Sequence, residues 1–191
     1  MTEAAADEQP EQPSAEPGGR RRWGYVAITA AVAFIALLAF GLVAKGGPSL
    51  DIGDTAPDAA IDPLGGGEDV SLSDYRGEWV LLNFWASWCD PCRDEAPAIE
   101  EFANRNRGKV VVVGMDSKEN SVDAQQFADE YGLSYQLLHD GEGEMMDSYN
   151  VKGLPESFLI DPDGKIAYIY RGPVDEQILD ENFAPLFERS A

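Results

Sequence analysis

The chain is 191 residues long and strongly acidic, with 35 Asp and Glu residues against 14 Lys and Arg and a formal net charge of −21. This length gives room for one domain and an appendage. A surface so rich in carboxylates repels nucleic-acid phosphates and anionic lipid headgroups, so the charge argues against proteins that bind either one. The acidity fits a basic partner or a salty habitat, and the sequence leaves both open.

The first part of the chain predicts a tail followed by a membrane anchor. Residues 1–22 lack the apolar periodicity of a folded core, so we expect a disordered cytoplasmic tail. Residues 23–44 are uncharged and, as a helix of about 33 Å, long enough to cross a bilayer. The arginines at 20–22, against the single Lys45, predict an N-terminus inside the cell. We therefore expect an uncleaved, single-pass signal-anchor and an extracytoplasmic domain, although residues 46–49 also suit cleavage of an export signal.

After a short linker at residues 45–50, residues 51–191 alternate between strand and helix patterns. A hairpin around the glycines at 65–67 and a one-turn helix at 73–77 are expected to precede the central strand, which begins at Val80. The later patterns predict a helix from Cys89, a strand at 110–115, a helix at 121–131 capped by Ser121, a strand at 136–139, a helix at 145–150, two strands at 157–160 and 166–170, and a helix at 174–187. This order predicts a three-layer α/β sandwich around a mixed central sheet, preceded by one transmembrane helix.

The chain contains only two cysteines, and both lie where the central strand is expected to turn into a helix. Two residues separate Cys89 from Cys92, so a first helical turn brings the sulfurs within bonding range. The helix N-terminus favours a thiolate on Cys89, the more exposed of the two. This is the arrangement of a reversible dithiol.

Two structural interpretations of the cysteine pair compete with the redox one. A structural disulfide that closes so short a loop stabilises a protein by only about 2 kcal/mol on the chain-entropy model. A zinc site needs four ligands, and beyond the cysteines the chain offers only the single histidine, His139. We therefore expect no metal ion and interpret His139 as structural or solvent-facing.

Glu95 lies beside the apolar stripe of the helix that begins at Cys89. The stripe consists of Cys92, Ala96, Ile99 and Ala103, at the spacing of a core-facing side. Glu95 follows Cys92 by three residues, which places its carboxyl near the thiol that must release and accept a proton. The alternative is an ordinary solvated carboxylate at the helix edge.

These motifs resemble one family. Trp88-Cys89-Asp90-Pro91-Cys92 with Pro97, preceded by Phe84-Trp85-Ala86-Ser87 and followed by Glu95, is similar to the active-site helix of the membrane-tethered TlpA/ResA/CcmG (DsbE) branch of thioredoxin-like proteins. Residues 153–160, Gly-Leu-Pro-Glu-Ser-Phe-Leu-Ile, strengthen the match. The resemblance covers residues 51–187 and implies a thioredoxin-like fold.

The resemblance also implies a substrate site and a mechanism. Pro155 is expected to be cis and to face the cysteines, leaving Leu154 free to pair with an extended substrate chain next to Trp88 and Glu156. Cys89 is expected to attack a substrate disulfide and Cys92 to resolve the mixed disulfide, with Glu95 carrying the proton.

The partners follow from the same resemblance. A reductant in an oxidising compartment needs recharging, so the family implies a membrane electron donor of the CcdA/DsbD type. It also implies apocytochrome c as substrate, in cytochrome c maturation, and the thiol chemistry needs no cofactor. The rival functions are a copper metallochaperone of the Sco-like kind, whose cysteines are three rather than two residues apart, and a binding module with a vestigial dithiol.

Overall fold

The fold is described from a computed structural model, in which residues 19–43 and 50–188 are described. The chain divides into two compact units, residues 1–46 and residues 47–191. In the first unit, helix α1 spans Gly19–Val43 and covers nearly all of the predicted signal-anchor. No helix in these described ranges is long and apolar enough to cross a membrane, so the predicted transmembrane helix is not confirmed. Most of the predicted tail and of the linker lies outside the described residues.

The second unit alternates strands and helices as the sequence predicts. A 3-10 turn at Leu72–Tyr75 precedes the central strand β1. The strands are β1 (Trp79–Trp85), β2 (Val110–Ser117), β3 (Gln136–Asp140), β4 (Glu156–Ile160) and β5 (Ile166–Arg171). The helices are α2 (Asp90–Arg105), α3 (Ser121–Tyr131), α4 (Glu144–Ser148), α5 (Glu176–Ile178) and α6 (Ala184–Glu188), with a π-helical turn at Leu179–Phe183 between the last two.

The five strands form one mixed sheet in the order β3-β2-β1-β4-β5. Strand β1 pairs with β2 in parallel and with β4 antiparallel, and β3 and β5 form the two edges. The central position of β1 buries its side chains on both faces, which explains its continuous apolar run. The predicted mixed sheet is confirmed.

Side chains on the two faces of the sheet form separate cores, as a three-layer sandwich requires. On one face, Leu82, Phe84 and Phe158 pack with residues of α4. The other face packs under α2 and the C-terminal helices; its core comprises Leu81, Ile99, Phe102, Val110, Val112, Leu159, Val174, Leu179, Phe183 and Phe187. A third cluster joins Trp85, the two cysteines and Phe127 of α3. The cysteines therefore belong to the packed interior at one end of β1.

One prediction about local structure is confirmed only in part, and another is wrong. The expected hairpin around residues 65–67 is present as a single antiparallel bridge between Ile61 and Val70, and within its loop Leu64 donates its backbone N–H to Leu137 of β3. Helix α3 is capped by Asn120 rather than by Ser121, since the Asn120 side chain accepts hydrogen bonds from the first turn.

Gly114 of β2 lies under three packed side chains. A Cβ at this position would lie 2.8 Å from Leu137 Cδ2 and 2.9 Å from both Trp85 Nε1 and Tyr135 Cε2. We expect Gly114→Ala to lower the free energy of unfolding by about 1 to 3 kcal/mol, because the core must shift to admit the methyl group. Urea denaturation measures the loss. Gly153→Ala is the control, since no atom lies within 4 Å of its added Cβ, and equal stabilities for the two variants would contradict the packing argument.

Candidate active site

The cysteines form a disulfide at the start of α2. Cys89 is the N-cap of the helix, and its sulfur accepts a hydrogen bond from the Cys92 backbone N–H at 3.2 Å. The Cα atoms are 5.3 Å apart across the bond. Pro91 lies in the first turn, where its missing N–H leaves no helical hydrogen bond unmade. The sequence prediction of a dithiol at a helix N-terminus is confirmed.

Burial differs sharply between the cysteines and the residue before them. Cys89 and Cys92 expose 5% and 1% of their surfaces, whereas Trp88 exposes 59%. Cys89 is thus the more accessible cysteine, and the α2 N-terminus stabilises negative charge on its sulfur once the disulfide is reduced.

Glu95 is buried, contrary to the interpretation of a solvated helix-edge carboxylate. Only 2% of its surface is exposed. Its carboxylate accepts one hydrogen bond from Asn83 Nδ2 and one from the Val174 backbone N–H, both at 2.9 Å. Burial raises the pKa of Glu95 to about 7, and the two hydrogen bonds oppose this shift only in part. The group can therefore hold or release a proton near neutral pH, three residues along α2 from Cys92.

Sequence reasoning missed the polar partners of Glu95. Asn83 also donates to Ser157 Oγ at 3.1 Å, and these two residues are directly paired between β1 and β4. Asn83 is a polar position inside the otherwise apolar β1, a signal that was present in the sequence. Val174 contributes only its backbone N–H, which no side-chain pattern reveals.

The loop before β4 lies against the cysteines. The Leu154-Pro155 peptide bond is cis, as predicted. Pro155 is buried, whereas Leu154 is half-buried and packs against the cluster that contains Cys89 and Cys92. The structure thus brings the predicted loop to the disulfide.

Glu156, predicted to bind substrate, is buried with 1% of its surface exposed. Its carboxylate is paired with Arg171 Nε at 3.0 Å, across the β4–β5 register. Burial raises the pKa of Glu156, although the Arg171 charge opposes the rise. The Arg171 side chain is 60% exposed, so this partner of Glu156 reaches the surface, and sequence reasoning missed it.

His139 is paired with a carboxylate. Its Nδ1 lies 2.7 Å from Asp116 Oδ2, and burial raises the pKa of Asp116 to about 6 while the His139 contact lowers it. Among the residues that the structure describes, no cluster of three His, Cys, Asp or Glu side chains is arranged to hold a metal ion.

Comparison with known proteins decides the family. Residues 52–169, more than half of the chain, match the model of the AhpC/TSA family. The chain belongs to the AhpC/TSA family. Within it, the chain is similar to thiol-disulfide oxidoreductases named ResA. The ResA of Oceanobacillus iheyensis is 39% identical over 127 residues, which are 63% of this chain and 65% of that protein.

Two further matches cover a larger share of the related protein. The ResA of Bacillus thuringiensis subsp. konkukian is 35% identical over 133 residues, 69% of this chain and 76% of the relative. A solved structure from Chlorobium tepidum, described as a thiol:disulfide interchange protein DsbE, has a TM-score of 0.65 at 34% identity and covers 74% of this chain and 98% of that one. The resemblance inferred from the motifs is confirmed. The protein is a thiol-disulfide oxidoreductase of the ResA/DsbE type, with Cys89 and Cys92 as its cysteine pair.

Glu95→Gln is expected to flatten part of the pH dependence of stability. The folded protein keeps the Glu95 proton up to a pKa of about 7, whereas the unfolded chain releases it near 4.5. The free energy of unfolding therefore falls as the pH rises through this window, by about 3 kcal/mol in total. Glutamine has no proton to release, so the difference between variant and wild type should grow in favour of the variant from acid to neutral pH.

Chemical denaturation at several pH values across this window measures the difference. Glu101→Gln is the control, since this exposed carboxylate lies on the same helix and pairs only with Arg105 at 3.8 Å. If the free energy of unfolding of Glu95→Gln varies with pH in parallel with that of wild type, Glu95 does not hold a proton in this pH range.

Proposed function

We propose that this protein is an exported reductant of protein disulfides. The observation that carries the proposal is the combination of a cysteine disulfide at a helix N-cap with a buried carboxyl of raised pKa one helical turn further along the same helix. A structural disulfide needs neither the N-cap position nor the neighbouring proton carrier. Perturbed carboxyl groups of this kind are concentrated at catalytic sites.

The reaction starts from the reduced protein. The Cys89 thiolate attacks one sulfur of a substrate disulfide, a mixed disulfide forms, and the other substrate sulfur leaves as a thiolate that takes up a proton. Cys92 then loses its proton and attacks the Cys89 sulfur. The substrate leaves with both of its cysteines reduced, and the protein keeps the Cys89–Cys92 disulfide. Two electrons and two protons pass to the substrate.

Glu95 is the proposed proton acceptor for Cys92. A thiol has an ordinary pKa near 8.5, so attack by Cys92 at neutral pH benefits from a nearby base. Because Glu95 titrates near pH 7, it is a better match for this task than a solvent-exposed carboxylate. Its hydrogen bonds to Asn83 and Val174 fix the carboxyl in place.

The substrate chain is proposed to bind between Trp88 and the loop before β4. Trp88 provides an exposed aromatic surface, and Leu154 packs against the cysteine cluster just before β4. Strand-like pairing with Leu154 gives affinity that depends little on substrate side chains. Glu156 takes part by holding Arg171 at the adjoining strand end.

The last part of the proposal concerns the direction of electron transfer, the location of the domain and its partners. Asp90 and Asp94 are exposed near the N-terminus of α2, and their negative charges oppose the helix dipole, which disfavours a very acidic thiol and a strongly oxidising protein. We propose that residues 23–44 hold the domain outside the cytoplasm, that a CcdA/DsbD-type membrane protein supplies its electrons, and that apocytochrome c with an oxidised CxxCH site is its substrate.

Cys92→Ser is expected to trap the substrate. The variant still forms the mixed disulfide through Cys89 but lacks the thiol that resolves it. Expression of the variant in the native cell envelope, followed by acid quenching and non-reducing electrophoresis, should show adducts that disappear with reductant. Mass spectrometry of these adducts identifies the substrate.

Cys89→Ser is the matched control and should yield no adducts. Adducts on Cys89→Ser but not on Cys92→Ser would reverse the roles of the two cysteines. A purified wild-type protein that fails to accelerate insulin-disulfide reduction would contradict the proposed activity itself.

A further inference from the structure

Ser87, two residues before Cys89, is bound by side chains at all three of its polar groups. Its backbone N–H donates to Glu119 Oε1 at 2.8 Å, and its hydroxyl donates to Glu119 Oε2. Its carbonyl accepts a hydrogen bond from Arg93 at 2.6 Å. Both oxygens of the Glu119 carboxylate are thus directed at a single residue of the active-site bend, the segment of residues 86–89 that connects β1 to α2. We call these contacts of Ser87 with Glu119 the bend anchor.

Glu119 is presented from a loop whose other residues are also held. Lys118, before it, has a left-handed backbone with φ of 59° and donates its N–H to the Asp140 carbonyl at 3.2 Å. Asn120, after it, is the N-cap of α3. The backbone is therefore held on both sides of Glu119, which fixes the point from which its carboxylate reaches Ser87.

Ser87 is connected to the Cys89 sulfur through a short series of covalent and hydrogen bonds. Ala86 is fully buried and its carbonyl accepts a hydrogen bond from the Cys89 N–H at 3.2 Å. The Cys89 sulfur in turn accepts from the Cys92 N–H. A displacement of Ser87 is therefore passed to Cys89, the residue whose sulfur alternates between disulfide and thiol.

We propose that Glu119 is a positioning residue for the dithiol. By binding Ser87, it holds the bend in the arrangement of the disulfide form and so favours that form over the dithiol. Hydrogen bonds to a charged carboxylate are strong enough to bias such an equilibrium. A protein whose disulfide form is favoured gives up its electrons more readily, so the bend anchor makes this protein a better reductant. This role rests on the proposed function.

The test is the equilibrium with a glutathione redox buffer. Reduction of the Cys89–Cys92 disulfide takes two electrons and two protons, supplied by two glutathione thiols that become one glutathione disulfide. Alkylation of free thiols measures the equilibrium constant for wild type, Glu119→Ala, Ser87→Ala and the double variant. We expect Glu119→Ala to shift the constant about tenfold toward the dithiol, which corresponds to roughly 30 mV for a two-electron couple. Ser87→Ala keeps the backbone N–H bond to Glu119 and should shift the constant in the same direction by less.

The shifts of the equilibrium constant in the different variants distinguish a positioning role of Glu119 from a general effect on protein stability. Glu119→Ala removes both hydrogen bonds of the bend anchor and Ser87→Ala removes only the one from the hydroxyl, so the double variant should shift no further than Glu119→Ala alone. Glu119→Gln keeps one acceptor oxygen and should give an intermediate shift, and it serves in place of Glu119→Ala if the alanine variant does not fold. Glu101→Gln, which removes an equal charge from an exposed site on α2, should leave the constant unchanged.

Two outcomes would overturn the role of Glu119. In one, variants lose equal unfolding free energy in their oxidised and reduced forms and the glutathione constant does not move. In the other, the shifts of the single variants add in the double variant. Insulin reduction by wild type tests the proposed function separately, so an active wild type with unshifted variants contradicts the bend anchor alone. An inactive wild type whose variants shift as expected contradicts only the proposed function.

Discussion

The buried carboxyl of Glu95 is the constraint on which the arrangement of this domain depends. A carboxyl with 2% exposure is costly unless donors meet it, and here they come from β1 through Asn83 and from the segment before α5 through Val174. The hydrogen bonds therefore tie α2, the central strand and the C-terminal region together at one point. Because Cys92 lies one helical turn before Glu95, the same point carries the chemistry.

The cysteines contribute both to the packing of the domain and to its chemistry. They pack with Trp85 and Phe127 in a cluster of their own at one end of the sheet, and the rings of these two residues stack at 4.6 Å. Such packing limits how far the sulfurs move when the disulfide opens. The neighbours Trp88, Asp90 and Pro91 are exposed around the buried Cys89, so the cysteine pair lies close to the surface while its sulfurs stay packed.

The helices and strands could be predicted because they depend on local signals in the sequence. The contacts that could not be predicted join residues far apart in the chain. The apolar run of β1 and the cysteines at the start of α2 depend on near neighbours and were predictable. The cis bond at Pro155 required the resemblance, since most such bonds are trans. The Glu95 contact with Val174 and the Glu119 contact with Ser87 join segments far apart in the chain, and no periodicity reports them. The pairing of Glu156 with Arg171 follows only from the β4–β5 register, which the sequence does not reveal.

The central claim is that this cysteine pair works as a reductant, and its reduction potential is the most direct test. Equilibration of the wild-type protein with glutathione buffers of known composition, followed by thiol alkylation, gives the value. We expect a potential below about −200 mV, closer to the roughly −270 mV of thioredoxin than to the roughly −120 mV of the oxidant DsbA. A potential near that of DsbA would show that the pair donates disulfides instead of reducing them, and would contradict the account.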